Sequence, residues 1–417
     1  MTNPKNILKQ IVGLHRQKYK VRLSGGVVWL VIATVSARLP LSAKAQFVAD
    51  TVSRGSVYGL ALDLRPAYVV PSNGYIEGDN ALGRAIDKSM SAYMKFSFTL
   101  DPKSRLGRMY PQAYQGIGVG WTGFFDAEDM GNPVSVYAFQ GAPIINFNNR
   151  LSLDYEWNFG ASFGWKKYHE DNNPTNGAVG SSVNAYINLA LMLRYKLDRH
   201  WHLTGGIDFT HYSNGNTDYP NSGINLAGVR LGLAYMFNGS SLSDALPASK
   251  EDIDRHFVVD VSAYVSARKV GFEYDDTRYL IPGRFGVIGL NINPMYRLNK
   301  YFGIGASLDA QYDEGANLND YYVPDSGTDE PKFYRPPLNK QLGVGASLRA
   351  EFSMGFFAIN VGLGHNIIYK GRDLGGFYQM FALKTFVTPK LFLNVGYKLL
   401  RFENPGNLML GIGYRFN

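Results

Sequence analysis

"WHLTGGIDFTHYSN", residues 201–214, separates into two unlike rows when every second residue is taken. Leu203, Gly205, Ile207 and Phe209 form an apolar row, and His202, Thr204, Gly206 and Asp208 a polar or small one. Period-2 alternation is the mark of a strand with two different surroundings. The same pattern recurs in "QGIGVGWTGFF" (115–125), "LSLDYEWNFGASFGW" (151–165), "VNAYINLALMLRYKL" (183–197), "FVVDVSAYVSA" (257–267), "FGIGASLDAQY" (302–312) and "LFLNVGYKLLRF" (391–402). Strands of about ten residues, greasy on one face and Gly-rich or polar on the other, suit a transmembrane antiparallel β-barrel. Closing the sheet satisfies every backbone group without water, which an open sheet in lipid cannot do. A soluble β-sandwich explains the alternation too, but accounts less well for the chain end "GIGYRFN".

The chain repeats itself. "WHLTGGIDFTHYSN…PNSGINLAGVRLGLAYMF" closes on Phe237, and "LFLNVGYKLLRFENPGNLMLGIGYRF" closes on Phe416. Counting upstream from each end gives about eight strand-like segments per copy. The expected architecture is all-β, with two eight-stranded barrels in tandem over 46–237 and 256–417. A polar, turn-rich linker, 238–255, joins them. One barrel of about sixteen strands is the alternative. The tight connections "YKLDRHWH" (195–202) and "TFVTPKLFL" (385–393) are expected on the periplasmic side. The strands rising from them carry His211-Ser213 and Arg401-Glu403 to the outer rim. The long polar loops 102–114 and 314–338 are expected at that outer end as well.

The N-terminal segment reads differently. Residues 1–45 hold eight Lys or Arg and no acid, then an apolar run from Val27 to about Val35, then Ala43-Lys44-Ala45. This is the pattern of a secretory signal peptide, with Gln46 as the first mature residue. Removing eight positive charges takes the formal net charge from +8 to zero, so the basic balance gives no support for nucleic acid as a partner. Cysteine is absent, which excludes disulfides and thiol catalysis.

His211 and Ser213 continue the apolar row of their strand. Asn225 continues the row of Ala227, Val229, Leu231 and Leu233 on the returning strand. All three therefore emerge on the outer wall. Residues two apart on a strand are separated by about 6.5–7 Å at Cα, within reach of an imidazole if the strand end bends. A neutral imidazole that accepts the serine proton makes an activated nucleophile, and Asn225 is placed to hold the ring. The Asn214 side chain or nearby backbone N–H groups could receive an oxyanion. Polar residues at a barrel rim are ordinary, and "HYS" alone is a weak signal.

The whole string is stronger. His211, Ser213 and Asn214, followed by Pro220, Asn221 and Gly223, resemble the signature of the outer-membrane lipid A 3-O-deacylases, the PagL-like enzymes. The resemblance covers roughly the first copy. It implies an eight-stranded barrel of the Gram-negative outer membrane, with its site on the lipid-facing exterior at the outer-leaflet rim. It also implies hydrolysis of the ester-linked 3-hydroxyacyl chain of lipid A, the lipid anchor of lipopolysaccharide. Carried over, Ser213 is the nucleophile, His211 the general base and Asn214 an oxyanion donor. Where the family places an acid, this chain has Asn225; Asp208 or Asp218 could substitute, although Asp208 points inward by parity. In the second copy "RFEN" replaces "HYSN", so Arg401 and Glu403 stand where the base and nucleophile would be. Arg does not deprotonate at ordinary pH, so this copy reads as non-catalytic and the two residues as a rim ion pair. His169 and His365 have no spaced partner, no metal-ligand spacing occurs, and no cofactor is expected. The remaining rivals are another acyl-lipid hydrolase, such as a phospholipase, and a non-enzymatic barrel.

Overall fold

The computed structural model describes residues 56–125, 130–239, 255–274, 277–323, 332–402 and 404–417. The expected signal peptide and most of the expected linker lie outside the described residues. Alternating sequence becomes strand throughout. β1 (Tyr58–Val70), β2 (Lys88–Thr99), β3 (Tyr114–Gly123), β4 (Gly131–Asn146), β5 (Leu151–Trp165), β6 (Val183–Lys196), β7 (Trp201–Ser213) and β8 (Ile224–Met236) pair with their neighbours. β8 then pairs back onto β1, closing a barrel of eight antiparallel strands.

A second closed barrel follows. It is built from β9 (His256–Arg268) and, after the hairpin β10 (Gly271–Tyr274) and β11 (Thr277–Leu280), from β12 (Phe285–Arg297) and β13 (Phe302–Asp313). The small hairpin β14 (Tyr322–Val323) and β15 (Lys332–Phe333) interrupts before β16 (Leu342–Met354), β17 (Phe357–Ile368), β18 (Phe377–Phe386), β19 (Leu391–Leu400) and β20 (Asn404–Phe416). β20 pairs with β9. Two barrels form, and the single sixteen-stranded alternative does not.

The two faces differ as the alternation demands. Leu203, Ile207, Phe209, Val229, Leu231 and Leu233 lie exposed on the outer wall. Inward residues fill the bore. In the first barrel Arg230 reaches Asp63 and Glu156, both at 2.8 Å, and Lys95 reaches the same two carboxylates at 3.1 Å. Tyr93, Tyr137, Tyr186 and Tyr212 pack above them. In the second barrel Glu351 meets Lys384 at 2.6 Å and Arg415 at 2.8 Å, while Asp260 meets the same two cations at 2.7 Å. Charges so enclosed persist because each faces an opposite charge, since a lone buried charge costs far more.

One end of the barrels carries tight turns closed by a single side chain. Asp198 Oδ1 accepts from the N–H groups of His200 (2.7 Å) and Trp201 (2.8 Å). These backbone donors hold its carboxyl below the usual carboxylate range. Asn148 and Asn299 close the β4–β5 and β12–β13 turns in the same way. The loop 102–114, expected at the outer end, lies with its flanking residues 100–101 at this turn end instead. The chain enters β1 here, so the β2–β3 connection must return here. Leu100, Met109, Tyr110 and Ala113 of this loop pack against Tyr301 and Phe356 of the second barrel, and the Tyr110 hydroxyl donates to Lys300 O at 2.8 Å.

The barrels also meet along β5. Trp157, outward by parity, is only 4% exposed because it lies edge-on to Phe357 (ring centroids 5.0 Å), and Tyr155 packs against Phe352. The Trp157 indole N–H donates to Gln140 Oε1 at 2.7 Å, which satisfies both polar groups inside this contact.

Candidate active site

β7 and β8 run past each other in a register that sets His211 opposite Asn225. Their side chains point outward, because the alternating neighbours Tyr212, Ile224 and Leu226 are buried in the bore. His211 Nδ1 lies 2.7 Å from Asn225 Oδ1, and Nε2 lies 3.0 Å from Ser213 Oγ. An amide oxygen can only accept, so Nδ1 carries the hydrogen and Nε2 presents its lone pair to the hydroxyl. That tautomer is the one a general base needs.

Both suggested acids are elsewhere. Asp208 lies in the bore, where Asn188 Nδ2 donates to it at 2.6 Å and Arg65 stands 3.5 Å away. Asp218 sits in the loop after the serine, ion-paired to Lys269 and Arg284 of the second barrel, each at 3.1 Å. Neither reaches the imidazole ring, and its partner on Nδ1 is an amide.

The loop 214–223 is built from the rest of the motif. Asn214 is buried, and its side chain spans the loop: Nδ2 donates to Asp218 O (2.9 Å), and Oδ1 accepts from Thr217 N (3.1 Å). The Asn214 backbone N–H donates to Asn221 Oδ1 at 3.0 Å. Asn214 thus spends one amide hydrogen bracing the turn, where a free oxyanion donor was expected. Gly223 sits at φ +72°, where a Cβ would stand 3.1 Å from His211 Cε1, so a side chain there would crowd the base. Pro220 precedes Asn221 in the same buried loop base, against Gly180.

Directly below the pair, on the same wall, lies an apolar crevice of about 1090 Å³. Phe209, two residues below His211, and Ala227, two residues from Asn225, border it, with Leu189 and Val229 alongside. Phe352, Met354 and Ile359 of the second barrel also line it, a contribution that sequence reasoning missed because those residues are well over a hundred positions away.

Among the described residues, the second barrel has no counterpart of this pair. β19 ends at Leu400, and Arg401 and Phe402 both take positive φ (53° and 68°), turning the chain at once into β20. Arg401 therefore leaves the strand, and its guanidinium donates to Arg372 O at 2.7 Å. Glu403, expected as its ion partner, lies outside the described residues. His365 stands edge-on to Phe377, and His169 Nδ1 accepts from Asp171 N in a loop. No group of three or more metal-ligating side chains occurs among the described residues.

Fold and site together define a membrane-type barrel protein with a serine–histidine pair on the outer wall of its first barrel. Residues 92–234 match the family lipid A 3-O-deacylase (PagL), and residues 257–417 match the acyloxyacyl hydrolase C-terminal domain. The resemblance read from the motif is thereby shown, and a match extends to the second barrel as well. The family points to the Gram-negative outer membrane and to lipid A deacylation in the broad sense. No curated protein sequence matches the chain. Among solved structures, the outer membrane enzyme PagL is 13% identical, covering 41% of this chain and 97% of its own, at a TM-score of 0.28. The toluene transporter TodX of Pseudomonas putida is 9% identical over 89% of this chain and 91% of its own, at 0.18. The translocator domain of the Neisseria meningitidis autotransporter NalP is 10% identical over 94% and 100%, at 0.20. The fold rests on the strand pairing itself.

Proposed function

We propose that this chain is an outer-membrane serine esterase that removes an ester-linked 3-hydroxyacyl chain from lipid A. The observation that carries the reading is the Asn225–His211–Ser213 hydrogen-bonded chain on the outer wall, directly above an apolar crevice. Ser213 Oγ attacks the ester carbonyl while its proton passes to His211 Nε2. The same proton is then given to the leaving sugar oxygen, producing an acyl-serine and a free hydroxyl. Water, deprotonated by His211, releases the 3-hydroxy acid. The developing oxyanion falls to the Asn214–Asn216 turn, through the second Asn214 amide hydrogen or a neighbouring backbone N–H. The acyl chain lies in the crevice, already in the plane of the outer leaflet.

In this reading a signal peptide (1–45) is removed, 46–237 form the catalytic barrel, 238–255 a linker, and 256–417 a non-catalytic barrel. The filled bores, with Arg230 and Tyr186 fully buried in the first, favour this over a solute channel. The test is the lipid A mass profile of cells carrying the protein, Ser213→Ala or His211→Ala. Loss of one 3-hydroxyacyl chain in the first and full acylation in both variants is expected. Unchanged deacylation in either variant would remove the mechanism.

A further inference from the structure

We infer that the second barrel is the positioning partner of the first barrel's catalytic loop, a conclusion that rests on the function proposed above. After Ser213 and Asn214, five consecutive residues each touch the second barrel. Gly215 O accepts from Leu408 N at 2.9 Å. Asn216 Nδ2 donates to Gly406 O at 2.7 Å. Thr217 O accepts from Lys269 N at 3.0 Å. The Asp218 carboxylate meets Lys269 Nζ and Arg284 Nη2, both at 3.1 Å. The ring of Tyr219 lies over Gly271, so close that a Cβ there would fall 2.3 Å from it.

Two features make this a grip on the site. Gly215 and Asn216 take consecutive positive φ (64° and 62°), a turn that Gly adopts freely and Asn at modest cost, and that carries these groups to their partners on the second barrel. Asn214, the neighbour of the nucleophile, hydrogen-bonds Thr217 and Asp218, the same residues the second barrel holds. Fixing 215–219 therefore fixes Asn214 and the end of β7 that presents Ser213. The short turn at Arg401-Phe402 contributes as well, since it leaves Gly406 and Leu408 at the rim where they meet the loop. Loss of the catalytic residues from the second barrel is then compatible with its retention: it acts on the geometry of the reaction and leaves the chemistry to the first.

Lys269 and Arg284 are partly exposed, with side chains 39% and 49% accessible, so neutralising them leaves both cores intact. In the full-length protein in lipid vesicles, the paired change Lys269→Ala and Arg284→Ala is expected to speed amide hydrogen exchange of 214–219 at least about tenfold. It is expected to lower kcat about 10–100-fold with KM within about twofold, the scale set by small misplacements of reacting groups. Arg284→Lys alone, which keeps the charge, retains exchange protection and rate. Unchanged exchange in the paired variant overturns the grip; faster exchange with unchanged kcat overturns its role in positioning. Absence of hydrolysis in the parent protein would instead defeat the proposed function, while the exchange measurement still decides the contact.

Discussion

In the proposed mechanism Asn225 is the residue on which the chemistry turns. Its Oδ1 selects the imidazole tautomer at a 2.7 Å contact, yet a neutral amide cannot balance the positive charge that His211 takes on as Ser213 attacks. Supplying that charge should help. Asn225→Asp is expected to raise kcat about tenfold or more, because a carboxylate keeps the tautomer and adds electrostatic stabilisation of the imidazolium. Asn225→Leu keeps neither and should lower kcat at least about a hundredfold, with both rates read as fatty acid released from lipid A vesicles. In all forms the base works only when neutral, so the rate should fall with acidification along a single-group curve. A lower rate in Asn225→Asp would show that the amide does more than orient the ring. The outward placement of His211, Ser213 and Asn225 was legible in the sequence because strand parity assigns each to a face, while the motif string singled out His211 and Ser213 as candidates. The role of Asn214 was not, since a loop brace depends on where the chain turns after the strand ends.

The hairpin β7–β8 and its loop form the element that makes the site. Which of its residues face outward was readable from matched rows of alternating residues, while the register that sets His211 opposite Asn225 came from the fold. What parity could not show is which part of the outer wall meets lipid and which meets protein. Trp157 falls on the outer row of β5, and only the folded chain covers it with Phe357. The loop 102–114 was misplaced for a related reason: its length and polarity suggested the outer end, whereas the strand count from β1 dictates the turn end. Trp157→Ala removes a buried ring and leaves Gln140 Oε1 without its donor, so it should destabilise the protein by about 3–5 kcal/mol. Urea unfolding of the protein in lipid vesicles measures this. A change below about 1 kcal/mol would mean the β5 contact contributes little to holding the barrels together.

At the scale of the whole molecule, the proposed function and the inferred grip divide the work between two barrels. The bores are filled by ion clusters around Asp63 and Glu156 in one and Asp260 and Glu351 in the other, which favours the proposed function over a solute channel. The proposed function confines action to the outer wall, where lipid is already concentrated in two dimensions. The existence of two eight-stranded units was legible from the repeated strand–loop–strand ending on Phe237 and Phe416. The contacts between them were not, because loop 214–223 finds its partners between about 50 and 190 residues further along the chain. The most direct measurement is the product released when the purified protein is mixed with lipid A. The parent should liberate a 3-hydroxy fatty acid, and Ser213→Ala, folded to the same extent, should liberate none. Release by the serine variant at the parental rate, or release of a fatty acid lacking the 3-hydroxyl, would contradict the account.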